Sequence, residues 1–255
     1  MLNISKLNKE LNSIYYNNTC LKLLFKNHVS STNDYIKYKY ARDLFPLVIV
    51  ANTQRAARGR NKKTWLSLNQ KSISFSLCFK INAQDFDLRR LSYISCISLL
   101  NVIKKNTSNK NIKIKWPNDL YLDNKKVSGI LIESLSTNKE IYVAIGVGIN
   151  LDIPDNSYID RPFSNLDMIE DASLIISLFC ESLFKNISEM NLDKIIKIYN
   201  TNLIWHQEKV CISDHESACE GRLLGINDHG ELTIESDGNI KYINNIDSTM
   251  RLVLN

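Results

Sequence analysis

The sequence predicts an α/β domain, a mixed sheet backed by helices, followed by a small all-β module. Three observations carry this. Continuous apolar runs such as Leu47-Val48-Ile49-Val50-Ala51 and Ile141 to Leu151 (IYVAIGVGINL) read as buried strands. Two longer stretches, Asp87–Lys105 and 170–187, place apolar residues at helical spacings (Leu88, Leu91, Ile94 in the first; Ile175, Ile176, Phe179, Leu183 in the second). After Trp205 the pattern changes: between Lys209 and Leu254, short apolar runs alternate with turns at Ser213-Asp214, Asn227-Asp228-His229-Gly230 and Ser236-Asp237-Gly238, the mark of hairpins. The expected division is 1–205 and 206–255.

Composition narrows the function classes. The chain has 255 residues, room for one sizeable domain and an appendage. It is 44% hydrophobic and 23% charged, with a net charge of +5, which suits an anionic ligand without demanding nucleic acid. Six scattered cysteines without a C-x-x-C pair read as reduced thiols, and four histidines show no metal-ligand spacing, so no metal-ligating residue is assigned. The opening MLNISKLNKELNSIYY has no apolar signal core, and no run approaches the roughly 20 apolar residues of a membrane span. The expectation is a cytoplasmic protein.

The elements follow in order. Leu2, Leu7, Leu11 and Ile14 mark a short helix, and Cys20–Phe25 a strand. Ser31, Thr32 and Asn33 suit a helix N-cap, with a helix expected from Asp34 through Tyr38. After strand Leu47–Ala51, the segment Asn52–Trp65 crowds basic residues around Gly59; it reads as a solvated loop or as one that folds over an anion. A strand follows at Ser72–Phe79, then the helix capped by Asp87. Ile112, Ile114 and Trp116 alternate with Lys113 and Lys115 as a half-buried strand does, and Pro117-Asn118-Asp119 interrupts it because proline donates no backbone hydrogen bond. Leu120–Leu122 resumes the strand, Asp123-Asn124-Lys125 turns it, and Lys126–Ile132 returns with Gly129 inside. A lysine on a buried strand either snorkels from an edge or serves a site. Gly129, Gly146 and Gly148 mark places where another group comes close. A polar link with Pro154 and Pro162 spans 152–166, and Leu192–Tyr199 starts a last helix.

The stretch KWPNDLYLDNKKVSGILIE resembles the signature of the biotin–protein ligases: Lys115-Trp116-Pro117-Asn118-Asp119 is one block, and Lys126, Gly129-Ile130-Leu131 and Glu133 are another at the family's spacing. The Ser-Thr-Asn after a strand, Gln54 ahead of Arg58-Gly59-Arg60, a closing Trp65, a glycine-rich strand ending in Ile-Asn and the C-terminal β module extend the likeness over most of the chain. Ala57 and Lys62 depart from it, standing where loop glycines are usual. The resemblance implies a class II synthetase-like biotin/lipoate ligase catalytic domain with an SH3-like β-barrel behind it, and the short type without an N-terminal helix-turn-helix, so no DNA binding. It implies ATP and biotin as substrates, with Mg2+ bridging the triphosphate.

The implied roles fall on residues of this sequence. Ser31, Thr32, Asn33, Gln54, Arg58, Gly59, Arg60, Lys126 and Gly129 would bind biotin, and Arg60, Trp65, Asn118, Lys126 and Asn150 the nucleotide. Arg58, Arg60 and Lys126 would offset the repulsion between biotin's carboxylate and the α-phosphate. Asp119 would orient or deprotonate the acceptor lysine, or merely bond within its turn. The acceptor would be a biotin carboxyl carrier protein, expectedly that of acetyl-CoA carboxylase. Dimers in that family form through sheet edges, so a homodimer is one state the resemblance allows. Other readings are a lipoate or octanoate ligase, a DNA-binding repressor, and a non-catalytic biotin-binding relative.

Overall fold

A computed structural model describes residues 2–37, 44–85, 87–108, 110–137, 140–154, 162–166, 171–214, 217–244 and 247–253. Its first helix, α1 (Ile4–Leu11), is capped by the Asn3 side chain and buries Leu7 and Leu11. Two short strands, β1 (Tyr15–Tyr16) and β2 (Thr19–Cys20), form a hairpin. The main sheet comprises β3 (Lys22–Val29), β4 (Leu47–Gln54), β5 (Ser72–Asn82), β6 (Ile112–Lys115), β7 (Asp119–Leu122), β8 (Lys125–Ser136) and β9 (Glu140–Asn150). The order is β3-β4-β5-β9-β8-β7-β6; β3 and β4 are parallel and the other neighbours antiparallel.

Helix α2 (Leu88–Asn106), capped by Asp87, and α3 (Ala172–Glu189), capped by Asp171, back the sheet with α1. Strand alternation decides what each face receives. Ile73, Phe75, Leu77 and Phe79 of β5 and Val143, Ile145, Val147 and Ile149 of β9 join the core that also holds the helices' apolar residues. Opposite them, Ser74 pairs with Gly148, Ser76 with Gly146, and Cys78 with Ala144. Small residues thus pave the other face at mid-sheet and leave space above it.

Helix α4 (Leu192–Asn202) leads into β10 (Lys209–Ser213), β11 (Ala218–Ile226), β12 (Leu232–Ser236), β13 (Asn239–Ile243) and β14 (Thr249–Leu252). They form an antiparallel sheet ordered β13-β12-β11-β10-β14, and Val210, Leu223, Ile234 and Met250 join the core shared with α4. Among the described residues no helix is long and apolar enough to cross a membrane.

Several boundaries differ from expectation. Thr32–Lys37 is a 3-10 helix, and Tyr38, the expected last helical residue, lies outside the described residues. Strand β4 continues to Gln54, because its polar end pairs with β3 (His28 with Thr53, Val29 with Gln54). Strand β6 stops at Lys115, and Trp116 stands in the turn, still buried. The 155–161 part of the 152–166 link lies outside the described residues.

Candidate active site

Above the paved face lies a cavity of about 250 Å³, and every site residue singled out in the sequence lines it. One end is a polar floor. Gln54 Oε1, at the tip of β4, accepts from Thr32 N (2.8 Å) and Thr32 Oγ1 (3.2 Å). Ser76 Oγ lies 2.5 Å from Asn33 Oδ1 and 2.7 Å from Thr32 Oγ1. Asn33 Nδ2 donates to the Leu131 carbonyl (3.2 Å) and to Glu133 Oε2 (2.9 Å). Ser31, Thr32 and Asn33 are buried, so their polar atoms must be matched within the protein or by a ligand. Ser76 was missed in the sequence. The signal was there: in SISFSLCF every second residue is small, which a reading of unbroken hydrophobicity hides.

The other end carries charge. Lys126 Nζ donates to Asp119 Oδ1 at 2.6 Å, with the two side chains only 12% and 15% exposed. The lysine therefore does not snorkel; it makes a nearly buried ion pair. Gly129 leaves room for that pair, since a Cβ there would sit 2.9 Å from Lys126 Nζ and 3.2 Å from Asp119 Oδ1. Asn118 is fixed by its own backbone and side chain: its carbonyl accepts from Ile130 N (3.0 Å) and its amide donates to the Ile130 carbonyl. Asn150 Nδ2 donates to the carbonyls of Lys126 (3.3 Å) and Ser164 (3.2 Å), tying β9 to β8 at the cavity edge.

The basic segment folds over the cavity as a small closed hairpin. Trp65 N donates to the Ala57 carbonyl (3.0 Å), Gly59 N to the Lys63 carbonyl (2.7 Å), and Arg58 bridges Thr64. Neither Ala57 nor Lys62 takes a positive φ; Asn61 does (φ 53°, ψ 36°), and asparagine tolerates that region better than most residues. The departures from glycine are thus compatible with this closed form. Trp65 lies over Gly148, where a Cβ would overlap the indole ring, and Lys126 Nζ is 5.6 Å from the ring centroid. The buried Trp65 indole N–H has no hydrogen-bond partner among the described residues.

The two loop arginines point to different anchors. Arg58 Nη2 donates to Asp34 Oδ1 (2.7 Å) and Glu133 Oε1 (3.0 Å). The Asp34 hydrogen bond is the largest cause of a raised Arg58 pKa. Burial alone would raise the Asp34 carboxyl, but the Arg58 hydrogen bond and charge outweigh it and hold it below the usual carboxylate range. Arg60 Nη1 donates to Asn118 Oδ1 (2.7 Å), and Nη2 to the Ser248 carbonyl of the C-terminal sheet (3.0 Å). Burial lowers the Arg60 pKa, opposed by the charges of Asp119 and Asp247. Asn61 Nδ2 adds a bond to the Asp247 carbonyl (2.9 Å). These long-range partners had no sequence signal.

Residues 25–150 match the model of the biotin/lipoate A/B protein ligase family. That match covers just under half of the chain. Biotin–protein ligase 2 of Arabidopsis thaliana is 32% identical over 136 residues, 51% of this chain and 40% of that one, so the chain spans well under half of this relative's length. The bifunctional ligase/repressor BirA of Escherichia coli K12 is 28% identical over 225 residues, 84% of this chain and 69% of that one. A biotin protein ligase from Aquifex aeolicus, solved in complex with biotin and ATP, superposes with a TM-score of 0.76 at 24% identity, covering 91% of this chain and 99% of that one. That likeness shows that the mixed-sheet part of this chain and the β sheet behind it share the fold of that structure.

Proposed function

We propose that the chain activates biotin with ATP to biotinyl-5′-adenylate and transfers the biotinyl group to a lysine of a biotin carboxyl carrier protein. One observation carries the reading: a polar floor of Thr32, Asn33 and Gln54, backed by Ser76, and a cationic end of Lys126 and Arg60 open to the same cavity, under one loop. A neutral ring with a few polar atoms suits the floor, since an unmatched buried polar group costs about 1–3 kcal/mol. Two anions, a carboxylate and an α-phosphate, suit the other end.

In this reading Lys126 lies against the reacting carboxylate and phosphate, where a fixed cation stabilises charge that develops between them. Arg60 adds a second cation from the loop. Arg58, held by Asp34 and Glu133, anchors the loop to β8 above the ligand. Trp65 and the loop exclude water from the mixed anhydride. Asp119 is the carboxylate nearest the lysine that an acceptor amine would meet, and accepts its proton. Mg2+ would come with the triphosphate as part of the substrate, held chiefly by phosphate oxygens, and would offset phosphate charge there. The BirA relative is a bifunctional ligase/repressor; the ligase half is the part proposed for this chain.

ATP–pyrophosphate exchange run with biotin, lipoate and octanoate tests the reading. Exchange with biotin alone is expected. Exchange that requires lipoate or octanoate, or none with any acid from folded protein, would overturn it.

A further inference from the structure

The turn that carries Asn118 and Asp119 is held from behind by two buried tyrosines. Tyr199 of α4, fully buried, donates through its hydroxyl to the Pro117 carbonyl at 3.1 Å. Ser92 Oγ (3.3 Å) and Cys96 Sγ (3.8 Å) of α2 approach the same oxygen. One residue earlier, Trp116 Nε1 donates to Tyr93 OH (3.3 Å), and Tyr93 OH donates to the Gly230 carbonyl in the β11–β12 turn (2.7 Å). The two tyrosine rings meet at a 55° tilt with centroids 4.6 Å apart. Burial pushes both phenols up, Tyr93 to about 12, so each keeps its proton.

The same pair is joined to the C-terminal sheet at a second point. Asn200, next to Tyr199, exchanges two hydrogen bonds with Ile226, its Nδ2 to the carbonyl (3.0 Å) and its Oδ1 from the amide (2.8 Å). Gly225, at φ 114°, has no room for a Cβ against the Asn200 side chain. A rigid path therefore runs from the C-terminal sheet, through Asn200–Tyr199 and Gly230–Tyr93, to Trp116 and Pro117. Immediately beyond them Asn118 meets Arg60 and Asp119 meets Lys126.

We propose that Tyr199 and Tyr93 are positioning residues, which seat the Trp116–Pro117 turn against the C-terminal sheet and thereby fix Asn118 and Asp119 at the cavity. Neither tyrosine lines the cavity, so they act through the turn. The catalytic consequence rests on the adenylating function proposed above; the structural one does not. Tyr199→Phe keeps the ring and removes the donor. The Ile130 amide, which donates to the Asn118 carbonyl, is expected to exchange with deuterium about fivefold faster, while the Val143 amide in central β9 is unchanged. In pyrophosphate exchange, kcat is expected to fall about fivefold with KM for biotin unchanged. Combining Tyr199→Phe with Asn118→Ala is expected to give no further loss beyond Asn118→Ala alone.

Equal acceleration at Ile130 and Val143, or none at either, would overturn the proposal, as would a change in KM for biotin alone. If the wild-type protein showed no exchange with biotin, the proposed function would fail, yet Ile130 protection would still decide the positioning role. If Tyr199→Phe did not fold, Tyr93→Phe, which cuts the Gly230 and Trp116 links, takes the same deuterium measurement with the same expectations.

Discussion

Lys126 is where the chemistry and the stability of this molecule meet. Its ammonium and the Asp119 carboxylate lie 2.6 Å apart with little solvent, so each depends on the other. Lys126→Met should abolish pyrophosphate exchange and cost about 3 kcal/mol in urea unfolding, because the Asp119 charge is then stranded in a poorly solvated site. Lys126→Met with Asp119→Leu should recover most of that stability and none of the exchange. A Lys126→Met protein as stable as wild type would refute the pair's structural weight. At this scale the sequence was highly legible for residues whose neighbours in the chain form a pattern: Lys126, Gly129, Asn118 and Asp119 sit in one continuous stretch. It showed Ser76 only through the small-residue alternation of SISFSLCF, and was silent on the hold of Asp34 and Glu133 over Arg58. Those partners are set by which strands lie side by side, and side chains of Asp, Glu and Ser look alike in solvated and buried positions until the sheet order is known.

At the scale of elements, the loop from Arg55 to Trp65 and strand β9 fit as lid and seat. Gly148 leaves the space in which the Trp65 ring lies against β9, so Gly148→Ala should displace the indole. The expected result is a red-shifted tryptophan emission and faster loss of bound adenylate, with the far-ultraviolet circular dichroism unchanged; unchanged emission and retention would contradict the packing. Arg60→Gly should leave adenylate formation in place but let the product escape, seen as biotinylation of bystander proteins; tight retention would refute the latching role of Arg60. The sequence placed the strands and helices well where a continuous apolar run or a capped helical period spoke for them, as at Leu47–Ala51 and Asp87 onward. It ended β4 too early, because Thr53 and Gln54 at the half-buried end of the strand still pair with β3 and polar strand ends carry no hydrophobic signal. Ala57 and Lys62 stand where loop glycines are usual, and it is Asn61 that supplies the left-handed turn.

Across the whole molecule, charge pairing and the C-terminal sheet hold the site together. The Asp34 carboxyl has its pKa held below the usual range, so its pairing contributes stability fully above the unfolded carboxyl pKa of about 3.9 and loses it as pH falls through the lower folded value. Urea midpoints should therefore decline below about pH 4, and the decline should be shallower in Asp34→Asn. An identical decline in both proteins would show that Asp34 carries none of it. The turn before β14 reaches back to the loop through Ser248 and Asp247, and α4 delivers Tyr199 to the Pro117 carbonyl. The hairpin pattern announced a β module, but its bonds to residues nearly two hundred positions earlier are properties of tertiary docking. The account stands or falls on one product. Native mass spectrometry of the protein after incubation with biotin and MgATP should show a single added mass equal to biotinyl-5′-adenylate. Protein carrying only intact ATP, only biotin, or nothing would contradict the claim that this cavity joins the two.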